Sequence, residues 1–480
     1  MQRITAHSQA ELFDVTASRR IEQAAAARLP PHTLMRRAGL AVARLAAALR
    51  PHAECIWVAC GPGNNGGDGF EAAAQLKQRG LHVQLSFAGD EARLPPDARD
   101  AFARARGAGV PVAVAPPAHW DLAIDALLGL GATRAPGDLM ARWLSLMYPS
   151  GRPVLSVDLP SGLNADTGAA SFDFGHGSDR HCLSLLTLKP GLFTAQGRDA
   201  AGEVWFDDLG CAADHEAASA HLNAPSVPAR RAHASHKGSY GDVAVMGGAA
   251  GMAGAALLAA SAALHGGAGR VFVALLDRGL PALSQAQPEL MFRDPAVLDW
   301  SQLTAVCGCG GGGEVKTLLP HVLTQAPLAV IDADALNAIA TDAALQSLLA
   351  ERVKRNQQTV LTPHPLEAAR LLGSTTAAVQ ANRLAAASEL AARLQSVVVL
   401  KGSGTIIAAP GLGAPFINLS GNALLATGGT GDVLAGMIGA NLAAGHDVLS
   451  AARQAVWRHG TLADEWPAGQ PLTAGALAAR

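Results

Sequence analysis

The sequence predicts an α/β protein of two domains, each a parallel sheet layered with helices. Three observations predict it. Short apolar runs alternate with helix-period segments along most of the chain. The alternation pauses between Ala212 and Ser235, in an aperiodic stretch of Ala, His, Ser, Pro and Arg that includes Pro225 and Pro228. The length, 480 residues, is that of about two to three average domains.

In chain order, Cys55 to Cys60, Val83 to Phe87, Leu122 to Ala126 and Val154 to Val157 read as short buried parallel strands. Glu71 to Arg79 and Asp97 to Arg106 lie between them with helical spacing. The first domain is expected over residues 1–215, a linker over 216–228 and the second domain over 229–480. Beyond the linker, strands are expected at Val243 to Met246, Val271 to Ala274, Leu328 to Ile331 and Val397 to Leu400, with long Ala-rich helices at Ala253 to Leu264 and Val379 to Leu394. No internal repeat links the halves, and the Ala and Gly abundance reads as compositional bias.

Composition narrows the function classes. Hydrophobic residues make up 49% and charged residues 16%, with 37 basic against 39 acidic side chains, which describes a globular chain with ample core. No basic cluster interleaved with aromatics appears, so nucleic acid is not an expected partner. Val243 to Leu264 is uncharged and long, but it is mostly Ala and Gly and is broken at Gly247 and Gly248, so a membrane is not an expected partner either. Met1 to Asp14 lacks an apolar signal core, and the six cysteines lack the CxxC pairing of a zinc site. Cytoplasmic localisation, reduced thiols and a homo-oligomer are the expectations.

The run Gly61 to Phe70, GPGNNGGDGF, follows a strand and opens a helix, so its amides can approach an anion. It contains GxGxxG, and Asp90 after the next strand is placed as a ribose acid, which makes a Rossmann-like three-layer sandwich the expected fold of this half. Two carboxamides and a carboxylate beside the glycines suit a bound cation or polar ligand better than packing alone. Asp125 and Asp158 end two further strands, the latter in SVDLPSGLNADTG. At the carboxyl ends of an open sheet, Asn65, Asp125 and Ser161 can offer oxygen to a hard or alkali cation while Asp158 serves as general acid or base. Both acids can equally be caps of the turns that follow them.

In the second half, HKGSYGD (His236 to Asp242), DADALN (Asp332 to Asn337), TPHPLE (Thr362 to Glu367) and LKGSGT (Leu400 to Thr405) all flank strands. The run Ala426 to Gly436, ATGGTGDVLAG, places consecutive glycines at a helix start, an anion hole for a transferring phosphoryl group, with Asp432 at its mouth to take a hydroxyl proton. Cys307 and Cys309, two apart on a strand, point to one side without completing a metal shell.

Together, LMxxAG at Leu34 to Gly39, GPGNNGGDG, Asp125, SVDLPSGLNADTG and the Lys189 to Leu192 KPGL resemble the NAD(P)H-hydrate epimerases over roughly the first 210 residues. HKGSYGDV, TPHPxE, LKGSGT and GGTGDVLAG resemble the ribokinase-like superfamily, and within it the ADP-dependent NAD(P)H-hydrate dehydratases, over nearly all of residues 226–480. The resemblance implies a bifunctional repair enzyme acting on NADH hydrate and NADPH hydrate: the first domain interconverts R and S hydrates, and the ribokinase-like second domain dehydrates the S form at the expense of ADP. It implies that Asn64, Asn65, Gly66, Gly67, Asp68, Gly129, Leu130, Gly131, Ala132, Thr133, Arg134, Ala135 and Asp158 contact the hydrate, and that Asn65, Asp125 and Ser161 bind potassium. In the second domain it implies substrate contacts at Ala255, Gly310, His364 and Asp432, nucleotide contacts at Lys401, Gly402, Ser403, Gly404, Thr405 and Gly431, and magnesium organised indirectly by Glu367. Asp158 and Asp432 are the catalytic candidates.

Plainer roles stay open: Glu367 as a first-turn carboxylate, His364 as a turn contact between prolines, and Lys237 and Tyr240 as structural residues rather than a substrate mouth. Two departures from the family stand out. Cys182 and Ser184 occupy positions where threonines are usual, and the GPGLG loop appears as Gly308 to Gly312 without its proline, which implies a more mobile loop. The competing functions are a ribokinase-like hydroxyl kinase of a vitamin precursor fused to a nucleotide-binding domain, and a non-catalytic nucleotide sensor.

Overall fold

A computed structural model describes residues 1–131, 135–175, 179–213, 215–224, 233–277, 279 and 287–480. Two compact units comprise Met1–His221 and Leu222–Arg480. In the first, an eight-stranded sheet runs in the order Gln2–Arg3, Glu203–Asp207, Arg180–Leu185, Val154–Val157, Leu122–Ala126, Ile56–Cys60, Val83–Phe87, Val112–Ala113. The pairs are parallel except at the Gln2–Arg3 edge. The chain winds outward from Ile56–Cys60 in one direction, then returns to Leu122–Ala126 and winds outward in the other. Strand order therefore reverses between these two neighbours, and their carboxyl ends form the crevice where such sheets bind ligands.

Helices Thr33–Leu49, Asn64–Gln78 and Pro96–Gly107 cover one face, burying Val42, Phe70 and Phe102 against Val58, Leu85 and Ile124. On the other face Trp57 stacks edge-on with Trp143 of helix Asp138–Met147, its indole donating to Ser86 Oγ at 3.1 Å. These are the expected three layers. The helix after the Gly-rich turn starts at Asn64 rather than Glu71. Its internal glycines are packing requirements: a Cβ at Gly66 would lie 2.0 Å from the Gly61 carbonyl oxygen, and one at Gly69 would lie 2.6 Å from Ala126 Cβ. Asp90 caps the short turn Glu91–Arg93 by accepting from Ala92 N at 3.0 Å, so its carboxylate is engaged locally.

The stretch expected to be linker carries the strand Ala220–Leu222, whose Ala220 and His221 pair with Leu12 and Glu11. Its apolar–polar–apolar pattern is enough for a short half-buried strand. Residues 225–228 of that linker lie outside the described residues.

The second unit holds parallel strands in the order Met291–Phe292, Arg270–Leu275, Asp242–Gly247, Thr304–Cys307, Leu328–Ile331, Gln358–Leu361, Val397–Leu400, continued by antiparallel Ile406–Ala408 and Phe416–Ile417. Its central helices, Ala253–His265 and Thr430–Ala443, approach so closely that a Cβ at Gly436 would sit 2.1 Å from the Ala259 carbonyl oxygen. The small residues are thus a packing device here rather than bias alone. The helix expected over Val379 to Leu394 is two, Thr376–Ala381 and Arg383–Leu394, because Asn382 caps the second by accepting from Ala385 N at 3.0 Å. Val243 to Leu264 divides into a strand and a helix, and among the described residues no helix is long and apolar enough to cross a membrane.

Candidate active sites

At the switch point of the first unit a Cβ on Gly61 would lie 1.8 Å from the Leu127 carbonyl oxygen, so only glycine lets the turn close over the crevice. Asn64, Asn65, Gly66, Gly67 and Asp68 form the first turn of the helix beside it, and Gly129, Leu130, Gly131 and Ala135 follow the neighbouring strand. Ala132, Thr133 and Arg134 lie outside the described residues. The two loops meet: the Asn65 side chain is 3.1 Å from where a Gly129 Cβ would stand, and Asn65 Nδ2 is buried with no hydrogen-bond partner among the described residues.

Asp125 is fully buried and answered by neutral donors, Ser161 Oγ at 2.6 Å, Ser161 N at 2.9 Å, Leu127 N at 3.2 Å and Tyr148 OH at 3.2 Å. Ser161 Oγ in turn accepts from Leu128 N at 2.9 Å. Burial raises the Asp125 carboxyl despite these donors. Asp125 thus caps its own turn and also ties the Leu128 and Ser161 loops together.

Asp158 is different. Its φ of 67° puts a non-glycine residue in the left-handed region, a strain that persists only where the surroundings enforce it. Its carboxylate accepts from Leu185 N at 3.1 Å and from the fully buried Lys189 ammonium. Lys189 Nζ also donates to Leu185 O at 2.8 Å and to Ser184 Oγ at 3.4 Å. The two positions that depart from the family serve this pair, since Ser184 accepts from Lys189 and Cys182 Sγ donates to Asp158 O at 3.5 Å. Two more acids face it. Burial, then the charge on Asp158, raises Asp68 well above the carboxylate range, and the same causes raise Glu22 on the solvent side.

The second unit gathers its candidates at the carboxyl ends of its parallel strands. Asp332 accepts from Lys401 Nζ at 2.7 Å and Thr362 Oγ1 at 2.7 Å. Burial alone would lower Lys401, but Asp332 and Glu367 reverse that and the ammonium is raised. A Cβ on Gly431 would lie 3.3 Å from Lys401 Nζ, so the first turn of Thr430–Ala443 stands against that cation. Gly429 precedes it at φ 90°, where a side chain would strike Leu258 at 2.6 Å, and no side chain caps the exposed amides. Asp432 is pushed up to about 6 by burial and then by Asp332, with the Cys309 thiol and Lys401 pulling the other way. Gly310 meets Ala255, whose Cβ is 2.9 Å from where a Gly310 Cβ would be.

His364 and Glu367 form a capping box: His364 Nδ1 accepts from Leu366 N at 3.1 Å, and Glu367 Oε2 accepts from His364 N at 2.8 Å. At Gly402, φ 134°, an added Cβ would lie 2.9 Å from an Arg383 guanidinium nitrogen, and Thr405 Oγ1 donates to Gly402 O at 3.1 Å, which shapes the Lys401 to Thr405 turn around Ser403 and Gly404. One open reading takes the plainer form and two expectations need correction. Lys237 and Tyr240 precede the strand Asp242–Gly247 and sit at its amino end, opposite this rim, where Tyr240 OH donates to Ser235 Oγ at 2.8 Å. Cys309 lies past the end of Thr304–Cys307, so its direction is set by the loop rather than by strand alternation. That loop is pinned, by Gly248 N to Cys309 O at 2.9 Å, Ala249 N to Gly310 O at 2.8 Å and Gly312 N to Asp334 at 2.9 Å, despite lacking proline.

Two family models match in this order, YjeF-related protein N-terminus over residues 31–191 and NAD(P)H-hydrate dehydratase over 243–479. The bifunctional NAD(P)H-hydrate repair enzyme of Escherichia coli (strain K12) is 36% identical over 450 residues, covering 90% of this chain and 85% of that one. The chain belongs to the bifunctional NAD(P)H-hydrate repair enzymes. The ADP-dependent (S)-NAD(P)H-hydrate dehydratase of Neisseria meningitidis serogroup B is 43% identical over 265 residues, covering 54% of this chain and 88% of that one. A crystal structure of the Bacillus subtilis ADP/ATP-dependent NAD(P)H-hydrate dehydratase, co-crystallised with ATP/Mg2+, is 35% identical, with a TM-score of 0.45, and covers 52% of this chain and 90% of that chain.

Sequence patterns for a repair enzyme of this family did not disclose every residue that builds the sites. Glu22 is a polar position on a surface helix with no motif around it. Arg383, 1% exposed, donates to the Leu400 and Lys401 carbonyls at 3.2 Å, and burial lowers it to about 10. His459 Nε2 lies 2.9 Å from Thr430 O at the start of the anion-hole helix, and burial lowers it to about 4, which keeps it neutral. Arg383 stands 17 residues in sequence from Leu400 and His459 29 from Thr430, distances over which spacing carries no signal.

Proposed function

We propose that the first unit epimerises the R and S hydrates of NADH and NADPH and that the second dehydrates the S form at the expense of ADP. What supports this most is the conjunction, in one chain similar to a bifunctional repair enzyme over 90% of its length, of the strained Asp158–Lys189 pair and of Asp432 beside an uncapped helix start. In the second unit Asp432 takes the ring hydroxyl proton, the Thr427 to Gly431 amides meet the transferring phosphoryl group, and Lys401 to Thr405 hold the nucleotide. Hydroxide leaves poorly and phosphate leaves well. Transfer of the β-phosphoryl group from ADP makes AMP and a phosphoester, and loss of phosphate together with a proton from the adjacent ring carbon forms the double bond of the reduced nicotinamide. Ala255, Gly310 and His364 border the ring, and Glu367 organises magnesium, which neutralises phosphate charge when bound.

In the first unit Asp158 moves the proton at the carbinol centre, Lys189 holds it in place, and the residues from Asn64 to Asp68 and Gly129 to Ala135 border the hydrate. In this reading Asn65, Asp125 and Ser161 are the potassium site: the buried Asp125 carboxylate is met by neutral donors, and a monovalent cation held by its oxygens, the Ser161 hydroxyl and the Asn65 amide oxygen would supply the missing positive charge. The proposal includes a cytoplasmic homo-oligomer, for which the six free cysteines suit a reducing compartment. Product accounting tests the reading. AMP and orthophosphate should appear one for one with reduced nicotinamide; a stable phosphoester accumulating without it would mean a hydroxyl kinase instead.

A further inference from the structure

Cys309 is fully buried, and its Sγ lies within 4.8 Å of carboxylate oxygens of both Asp332 and Asp432. Its direction is fixed by its backbone, because its carbonyl accepts from Gly248 N and a Cβ on Gly247 would approach that carbonyl to 2.2 Å. Burial, then the charges of Asp432 and Asp332, hold the thiol well above its ordinary range, so it stays S–H and faces the carboxylates as a donor.

The other groups around Asp432 are committed elsewhere. Asp332 is taken by Lys401 and Thr362, Lys401 by Asp332, Asp334 by Gly312 N, and His459 by the Thr430 carbonyl. Asp332 and Asp334 disfavour charge on Asp432, and Lys401 favours it. We propose that Cys309 is a positioning residue for Asp432, its S–H donating to the carboxylate, orienting it toward the substrate hydroxyl and favouring its ionised form. This rests on Asp432 being the base of the dehydration.

The test is the pH profile of kcat/KM for the S hydrate, measured on the full chain with saturating ADP and magnesium, for wild type, Cys309→Ala and Cys309→Ser. Alanine and serine remove nearly the same volume and differ in the donor. Losing one hydrogen bond to the carboxylate should move the acid limb of Cys309→Ala upward by about half to one pH unit, an about three- to tenfold loss below the limb. Cys309→Ser should keep the wild-type limb. An unshifted alanine profile, or a serine profile shifted as far as alanine, overturns the proposal. If the small variants fail to fold, the isosteric pair Cys309→Val and Cys309→Thr carries the same contrast. Asp432→Asn separates the two levels: full turnover by that variant would remove the base itself, whereas an inactive Asp432→Asn with an unshifted Cys309→Ala removes only the positioning role.

Discussion

Lys189→Met deletes the ammonium of the buried pair while keeping most of its volume. Lys189 is 0% and Asp158 8% exposed, so the carboxylate left behind is desolvated, keeps the Leu185 N–H and loses its countercharge. Breaking a buried pair from one side costs about 3–5 kcal/mol. The neighbours offer no replacement cation, because Asp68 and Glu22 are acids, both raised by burial and by Asp158. At about 2–4 °C per kcal/mol for a unit of this size, the first unit should melt about 6–20 °C lower. Differential scanning calorimetry of the full chain reads this directly, with the second unit's transition assigned by its upward shift on adding ADP. That transition should not move. Lys189→Met combined with Asp158→Asn should recover at least half of the loss, since removing both charges of a buried pair is close to neutral. A drop of less than about 2 °C in the single variant, or a double variant that melts as low as the single, would refute the reasoning.

Dehydration should follow one ionisation near the value to which Asp432 is raised. The base works ionised, so kcat/KM should fall as pH drops through about 6, with the slope of a single proton; a limb in the ordinary aspartate range contradicts this. Gly61→Ala should abolish epimerisation while leaving dehydration of the S form intact, because the added Cβ would lie 1.8 Å from the Leu127 carbonyl oxygen at the crevice. Separate assays on purified R and S hydrates check it, and retained epimerisation would show that the close approach is dispensable.

Much of the fold was legible because most central strands are buried on both faces: Leu122–Ala126, Val154–Val157, Leu328–Ile331 and Val397–Leu400 begin and end where their sequence runs do. The Gly-rich turn hid its helix, since Gly66, Gly67 and Gly69 look like loop in sequence and owe their place to backbone approach. Asn382 broke a helix that spacing alone continues, by capping its own successor. In the sites, acids at strand ends were legible because open sheets bring those ends together. What was not legible depends on tertiary contact: that Asp158 takes a left-handed conformation against Lys189, that Glu22 faces it from a surface helix, and that Cys309 points at Asp432 from beyond a strand end. The HKGSYGD run left the place of Lys237 and Tyr240 open, and they lie at the amino end of the strand that follows, away from the crevice.

The central claim is two chemistries carried by two acids in one chain, and the measurement that tests it most directly follows reduced-nicotinamide absorbance from a mixture of R and S hydrates with ADP, magnesium and potassium. Wild type should consume both epimers. Asp432→Asn should recover neither, and Asp158→Asn should recover the S form promptly while the R form lags at its spontaneous rate. Prompt recovery of both epimers by Asp158→Asn, or any enzymatic recovery by Asp432→Asn, would contradict the account.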